Sequence, residues 1–215
     1  IKDLDANCAH AVTFFTSDAK VLGLADNFNA WHVAGSLLRE RKVAELQPYK
    51  AWLWFLLQAL DVLTKHEAAM DLCAATPVWR GLCGVRLSQK KHVVAGSEVC
   101  WPGLSSTSED PKMMVKFIQD SGADCGTMVK LTNVTAPSIA LLSMFPVEAE
   151  RLLSINTVIR IDAVLTAEQA QGVPGVQLPP GVDLVVATQL PTPAFAGLSR
   201  PGLGAFVTPF ACVQP

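Results

Sequence analysis

Apolar positions recur at helical spacing in the first third of the chain and alternate with polar ones further on. In YKAWLWFLLQALDVLTKHEAAMDLCAA, residues 49–75, Trp52, Phe55, Leu56, Leu60 and Leu63 fall on one stripe. That spacing predicts an amphipathic helix whose stripe lies in the core. No Gly or Pro interrupts the run, and Pro48 stands near its start, where a missing N–H costs little. A second helix is expected from about Phe28 to Leu46, with the mixed-charge stretch RERKVAE, residues 39–45, on its solvated side. Asp18 is a candidate cap for a first segment. Residues 1–75 therefore read as a helical front.

The texture changes after Pro77. VWRGLCGVRL, residues 78–87, predicts a short strand and turn, and EVCWPGLSSTS, 98–108, contains another strand. PKMMVKFIQD, 111–120, predicts a short helix with Pro in its first turn. TMVKLTNVT, 127–135, alternates as a half-buried strand does. Residues 149–153, TVIRIDAVL at 157–165, and VDLVVATQL at 182–190 read as further strands. A helical front followed by a β-rich body predicts an α+β fold. Eight of the fourteen prolines lie at or beyond Pro174. Residues 77–190 are thus taken as the core of a single domain spanning 1–215, with 191–215 as a Pro/Gly-rich tail.

Composition narrows the function classes. Of the 215 residues 50% are hydrophobic and 17% charged, which suits a packed core rather than disorder. A net charge of −2 supplies no field for a phosphate backbone, so nucleic acid is not an expected partner. The apolar run AWLWFLL, 51–57, is closed by Gln58 and Asp61, far short of the roughly 20 residues a spanning helix needs. IKDLDANC at the start lacks the basic and apolar regions of a signal peptide, and localisation stays open. Cys8, Cys73, Cys83, Cys100, Cys125 and Cys212 form no CxxC pair, so zinc is not expected. Disulfides of a secreted protein and buried thiols of a cytosolic one both remain readings of that set.

Three polar sites interrupt the apolar body. Arg80 lies inside a strand, where an arginine rarely sits without a partner. Its planar fork suits phosphate oxygens, and Gly81 beside it would let a ligand approach the backbone. A plain salt bridge, for instance to Glu150, is the alternative. SSTS, 105–108, offers hydroxyls that can orient a carboxylate or bond a sugar; alternatively Ser108 is an N-cap, with Pro111 just inside the helix. Finally, FPVEAERLL, 145–153, sets Glu148 and Glu150 two positions apart. On a strand both would share one face, an arrangement suited to handling positive charge. An exposed turn after Pro146 is the alternative. There is no GxSxG elbow, and His10, His32, His66 and His92 are scattered, so a hydrolase triad is not indicated.

Arg, then Ser-Thr-Ser, then Glu-x-Glu, each tied to a strand, resembles the arginine-specific mono-ADP-ribosyltransferases. These form the R-S-E class shared by toxins such as cholera toxin and by vertebrate ecto-enzymes. VWRGL is similar to that family's aromatic-Arg-Gly strand. VCWPGLSSTS resembles its tryptophan, glycine, apolar residue and Ser-x-Ser. SMFPVEAERLL resembles its Ser-x-Phe-Pro segment running into Glu-x-Glu. The resemblance covers about residues 77–165. Trp79 stands where the family often has tyrosine, Val147 where a third acid often precedes the pair, and Leu104 where phenylalanine is frequent.

The resemblance implies two packed, roughly perpendicular β-sheets with NAD in the cleft. It implies transfer of ADP-ribose from NAD to a protein arginine, with nicotinamide released and no metal required. Glu150 would steady the ribose cation, and Ser106 would hold Glu150 and seat the ribose. Arg80 would grip the phosphates, and the Gly81 backbone would meet the nicotinamide amide. Thr107 and Ser108 join this cofactor-binding set. Trp101 would wall the pocket or belong to the core. Glu148 would engage the incoming arginine, and Phe145 would touch the acceptor protein. The chain is expected to act as a monomer, of the toxin or effector kind. NAD glycohydrolysis and a non-catalytic NAD- or protein-binding module are the alternatives.

Overall fold

The computed structural model describes residues 1, 4–17, 30–72, 77–173 and 177–191. Asp18, Phe28, residues 73–75 and the tail from 192 onward, all part of the sequence expectations, lie outside these residues.

The helical front comprises α1 (Ala6–Thr16), α2 (Ala30–Arg39) and α3 (Lys50–Ala69). Asp5 caps α1 by accepting from the Asn7 N–H at 2.6 Å. Cys8, Ala11, Val12 and Phe15 recur at helical spacing and pack on Leu56, Ala59, Leu60 and Leu63 of α3. Trp52 and Phe55 flank this core half-buried, and the Trp52 indole N–H donates to the Ala11 carbonyl at 3.0 Å. Ile139 and Leu152 from the body complete the cluster. Among the described residues no helix is long and apolar enough to cross a membrane.

Two helices stop earlier than their apolar patterns suggest. Arg41 (φ 56°) and Asp71 (φ 54°) take left-handed backbone. The N–H of Lys42 then closes on the Leu37 carbonyl at 2.9 Å, and that of Leu72 on Glu67 at 2.9 Å. This is the Schellman closure, usually signalled by glycine. Neither position is glycine, which is why the apolar patterns run past the observed ends at Arg39 and Ala69.

The body holds β1 (Val78–Cys83), β2 (Glu98–Trp101), β3 (Ser105–Ser108), α4 (Pro111–Asp120), β4 (Gly126–Thr132), β5 (Glu150–Leu153), β6 (Thr157–Leu165), α5 (Ala167–Ala170) and β7 (Val182–Gln189). The α+β expectation is met. The strands form one ladder in the order β2-β6-β7-β4-β1-β3-β5. Only β4 and β7 run parallel; the other pairs are antiparallel. β1 and β3 share a single register pair, Trp79 with Ser108. That pair is a seam where the five-stranded leaf β2-β6-β7-β4-β1 meets the two-stranded leaf β3-β5.

Strand alternation sorts β1 onto two faces. Val78 and Leu82 join the core with Val99, Val129 and Ile159, whereas Trp79 and Cys83 pack with Ile118 and Met128 under α4. Arg80 belongs to the first face and Gly81 to the second. A Cβ on Gly81 would stand 3.1 Å from Ile118 Cγ1 and 3.2 Å from the Met114 carbonyl. The close approach of α4 is by itself a reason for glycine at this position.

One buried ion pair ties β7 to the loop after β1. Asp183, fully buried, accepts from Arg86 Nε at 3.1 Å, Arg86 Nη2 at 2.8 Å and the Ser88 N–H at 3.0 Å. Burial alone would raise its pKa, but the bonds from Arg86 and Ser88 outweigh it and hold the carboxyl below its ordinary range. Its stabilisation is present at neutral pH and lost as pH falls through that lowered value. Arg86→Met strands the buried carboxylate and should cost about 3 kcal/mol. Urea denaturation at pH 7 checks this, and a loss below about 1 kcal/mol would remove the pair from the fold's main supports.

Candidate functional site

The seam brings together the three sites that are scattered in the sequence. Arg80 on β1 donates from Nη1 to the Ser106 carbonyl on β3 at 2.8 Å. Its guanidinium carbon sits 5.6 Å from the centroid of the Trp101 ring, a cation–π contact. Trp101 is thus more than core: it is the plate on which Arg80 lies. Among the described residues Arg80 has no salt bridge to a carboxylate, Glu150 included. Burial, then the nearby Arg39 cation, pull the Arg80 pKa down to about 10, while Glu150 pushes it up. The residue stays cationic at neutral pH and is only partly repaid for losing water.

Glu150 opens β5, opposite Ser108 in register, and is 6% exposed. Burial pushes its pKa up to about 7. The nearby Ser106 hydroxyl and the Arg80 cation pull the value down, and the Glu148 charge adds to the rise. A carboxyl poised near neutrality by burial and by specific neighbours is a mark of functional sites. Ser106 itself is half-buried; its carbonyl accepts from Arg80, and its hydroxyl is near enough to Glu150 to lower that carboxyl's pKa.

The two acids do not share a strand face. Pro146–Glu148 form a 3₁₀ turn, and Ala149 takes a left-handed conformation (φ 45°, ψ 46°) before β5 begins. The period-two argument fails because Glu148 precedes the strand. Pro146 starts the turn, and Ala149 reverses the chain at a cost of about 1 kcal/mol for a residue with a Cβ. The acids nonetheless stay close enough to interact. Glu148 is half-buried, and its pKa is raised by burial and eased back by Lys116.

Two expected cofactor-binding hydroxyls are already spent. Thr107 is fully buried and donates to the Arg151 carbonyl at 2.8 Å. Ser108 is 1% exposed, donates to the Glu148 carbonyl at 2.7 Å and accepts from the Asp110 N–H at 3.0 Å. Ser108, opposite Glu150 in register and two positions from Ser106, shares their face of the strand pair, while Thr107 lies on the other. Ser108 is not the N-cap of α4 either: Asp110 is, accepting from the Lys112 N–H at 2.9 Å. Phe145 does lie on the loop before Glu148, exposed beside Met144 and Val147.

Sequence reasoning missed what holds β5. Arg151, 7% exposed, donates to Glu67 of α3 and to the Ala136 carbonyl at 2.8 and 2.7 Å, and bonds Glu109. Glu67 also accepts from the Ser138 N–H at 2.7 Å. An arginine inside the apolar run ERLL was the available signal. The segment before the turn is fixed to α1: Thr13 donates to the Leu142 carbonyl at 2.9 Å, and Thr16 accepts from the Met144 N–H at 3.0 Å. A groove of about 430 Å³ lies there, lined by Phe14, Trp52, Phe55 and Met144. Arg80, Ser106 and Glu150 are not part of it. Among the described cysteines, Cys8, Cys83 and Cys125 are free thiols, Cys8 buried; Cys73 and Cys212 lie outside the described residues.

No family model matches the sequence, and no curated protein matches it. Solved structures do. The Vis toxin, an ADP-ribosyltransferase from Vibrio splendidus, superposes with a TM-score of 0.58 at 18% identity, over 88% of this chain and 76% of that one. Vis in complex with agmatine matches similarly, with a TM-score of 0.57 at 17% identity over the same shares. The ADP-ribosyltransferase HopU1 of Pseudomonas syringae pv. tomato DC3000 gives 0.60 at 18%, over 85% and 76%. At these identities the likeness speaks of architecture, and the chain has the ADP-ribosyltransferase fold.

Proposed function

We propose that this chain is a mono-ADP-ribosyltransferase that moves ADP-ribose from NAD to arginine side chains of a protein, releasing nicotinamide. The observation that carries the reading is the convergence of Arg80, Ser106 and Glu150 at one seam of an ADP-ribosyltransferase fold. The bond that breaks joins ribose C1′ to a nicotinamide that is already cationic. Its electron pair leaves with nicotinamide and the ribose becomes an oxocarbenium-like cation. An ionised Glu150 bonded to the ribose 2′-hydroxyl stabilises that charge as it forms. Arg80 takes the phosphates, held flat by Trp101. Ser106 fixes the Glu150 carboxylate.

Glu148 receives the acceptor arginine. Direct deprotonation of the free guanidinium is excluded by energy: the reference pKa values lie roughly 9 units apart, about 12 kcal/mol uphill. Paired hydrogen bonds from the guanidinium to Glu148 orient its nitrogen toward C1′ instead. The proton leaves once the new C–N bond has made it acidic. Exposed Phe145 and Val147 flank this acid and offer the acceptor protein an apolar contact. Agmatine, seen in the Vis complex, carries the same guanidinium and is the natural small acceptor to try.

The test is incubation with NAD labelled in its adenylate half, with and without agmatine. Nicotinamide release with labelled agmatine is expected. Nicotinamide release with no labelled acceptor would make the chain a glycohydrolase, and no nicotinamide at all would make it a binding module.

A further inference from the structure

Arg151 follows Glu150 in the chain and is buried, yet the chemistry above makes no use of it. Its guanidinium serves two arms. In the first, Nη1 donates to Glu67 of α3 at 2.8 Å and to the Ala136 carbonyl at 2.7 Å. Glu67 in turn accepts from the Ser138 N–H at 2.7 Å. Residues 136–139 are thereby laid along the outer edge of β5. There the Ile139 N–H donates to the Glu150 carbonyl at 3.0 Å, and the Leu152 N–H donates to the Pro137 carbonyl at 3.2 Å. In the second arm, Nε bonds the Glu109 carboxylate. The Glu109 N–H donates to the carbonyl of Ala149, the left-handed residue between the two acids, at 3.4 Å.

Glu150 is thus held on both sides. The first arm fixes its carbonyl, the second fixes the peptide before it, and β3 pairs with it on the inner edge. Stability alone is a poor reason for such a cluster. A buried ion network gains little over apolar groups of the same shape, because desolvation offsets the attraction. What it supplies is direction. The planar fork of an arginine sets α3, the 136–139 segment and the residue before α4 at defined angles around one strand. A carboxylate that must meet a forming cation tolerates little displacement: an error of about 1 Å can cost two orders of magnitude in rate.

We propose that Arg151, bridged to Glu67 and Glu109, is a positioning residue for Glu150, setting where that carboxylate stands in the site. The proposal rests on the NAD reading above and extends it to a cluster that ties the helical front to the reacting strand. Arg151 touches neither NAD nor the acceptor, so its loss falls on kcat.

The test removes the cluster without stranding a charge, by combining Arg151→Met, Glu67→Gln and Glu109→Gln. Glu67→Gln keeps an acceptor for the Ser138 N–H. Urea denaturation at pH 7 and steady-state nicotinamide release are compared with wild type. The denaturation midpoint should stay at or above the wild-type value. The kcat should fall about a hundredfold, while the KM for NAD changes by about threefold or less, because Arg80 on β1 keeps its bond to Ser106. Arg151→Lys, which keeps the charge but loses the fork, should fall between the two. Glu109→Ala cuts only the more exposed arm and should lower kcat about tenfold at an unchanged midpoint. Wild-type kcat in the triple variant or in Glu109→Ala would overturn the proposal and leave the NAD reading intact. A kcat that falls only in step with the midpoint in both variants would make the cluster a plain support of the fold and overturn it as well. No nicotinamide release by the wild type would overturn both readings.

Discussion

Glu150→Gln should slow nicotinamide release about a thousandfold while making the protein more stable above neutral pH. The first effect follows from removing the charge that faces the ribose cation; losing one such electrostatic group typically costs two to three orders of magnitude. The second follows from burial. Glu150 is 6% exposed and titrates at about 7, against an ordinary 4.5. The fold thus prefers its protonated form. That preference contributes fully below the unfolded-state value, fades as pH rises through the folded-state value, and is gone above it. Ionised Glu150 therefore costs the wild type about 3 kcal/mol at pH 8 to 9. Glutamine stays neutral throughout. Denaturation curves of the two proteins should coincide near pH 4 and separate in favour of the variant by pH 8. The same titration predicts that wild-type kcat/KM rises about tenfold per pH unit below 7 and levels off above it. A variant that lost activity but gained no stability at pH 8 would mean that Glu150 is not a desolvated acid, and its assigned chemistry would lose its physical basis.

Most of the body is legible in the sequence because its signals are local. TVIRIDAVL is rich in β-branched and other apolar residues and is β6 over the full 157–165, and PKMMVKFIQD carries its proline in the first turn and is α4 over 111–120. What fails depends on information that residue type does not hold. SSTS presents consecutive hydroxyls, but only the fold shows that Thr107 bonds the Arg151 carbonyl across from it on β5 and Ser108 the Glu148 carbonyl in the turn before β5. The glutamate pair suggests a shared strand face. Pro146 argues for a turn, but nothing marks Ala149 as left-handed, since the usual signal is glycine. Arg39 and Arg151 show the opposite limits of charge reading. The first sits in a charge-rich stretch that reads as solvated, though the fold lays it beside Gly103. The second sits in an apolar run and is buried among Glu67, Glu109 and a carbonyl that no local pattern could supply. In both cases the deciding partner comes from a distant element.

Glu148→Gln should separate the two fates of the ribose cation. Glu148 stands outside β5, on a turn tied to the body through Ser108, and is less buried than Glu150. In the proposed mechanism it never touches ribose; it aligns a guanidinium through charged hydrogen bonds. Removing the charge weakens two such bonds, so labelling of agmatine should fall about a hundredfold. Water needs no such alignment, and nicotinamide release without acceptor should persist within a few-fold of wild type. The variant should also move the pH profile of that residual hydrolysis. The Glu148 charge helps hold the Glu150 pKa up, so its loss should let Glu150 ionise at lower pH and shift the rising limb to the acid side. Glu150→Gln cannot mimic this pattern, because it removes hydrolysis and transfer together. Intact agmatine labelling would strip Glu148 of its acceptor role. Intact labelling with an unmoved pH profile would further show that the two carboxylates do not sense one another, and a single acid would have to account for both the forming cation and the arriving one.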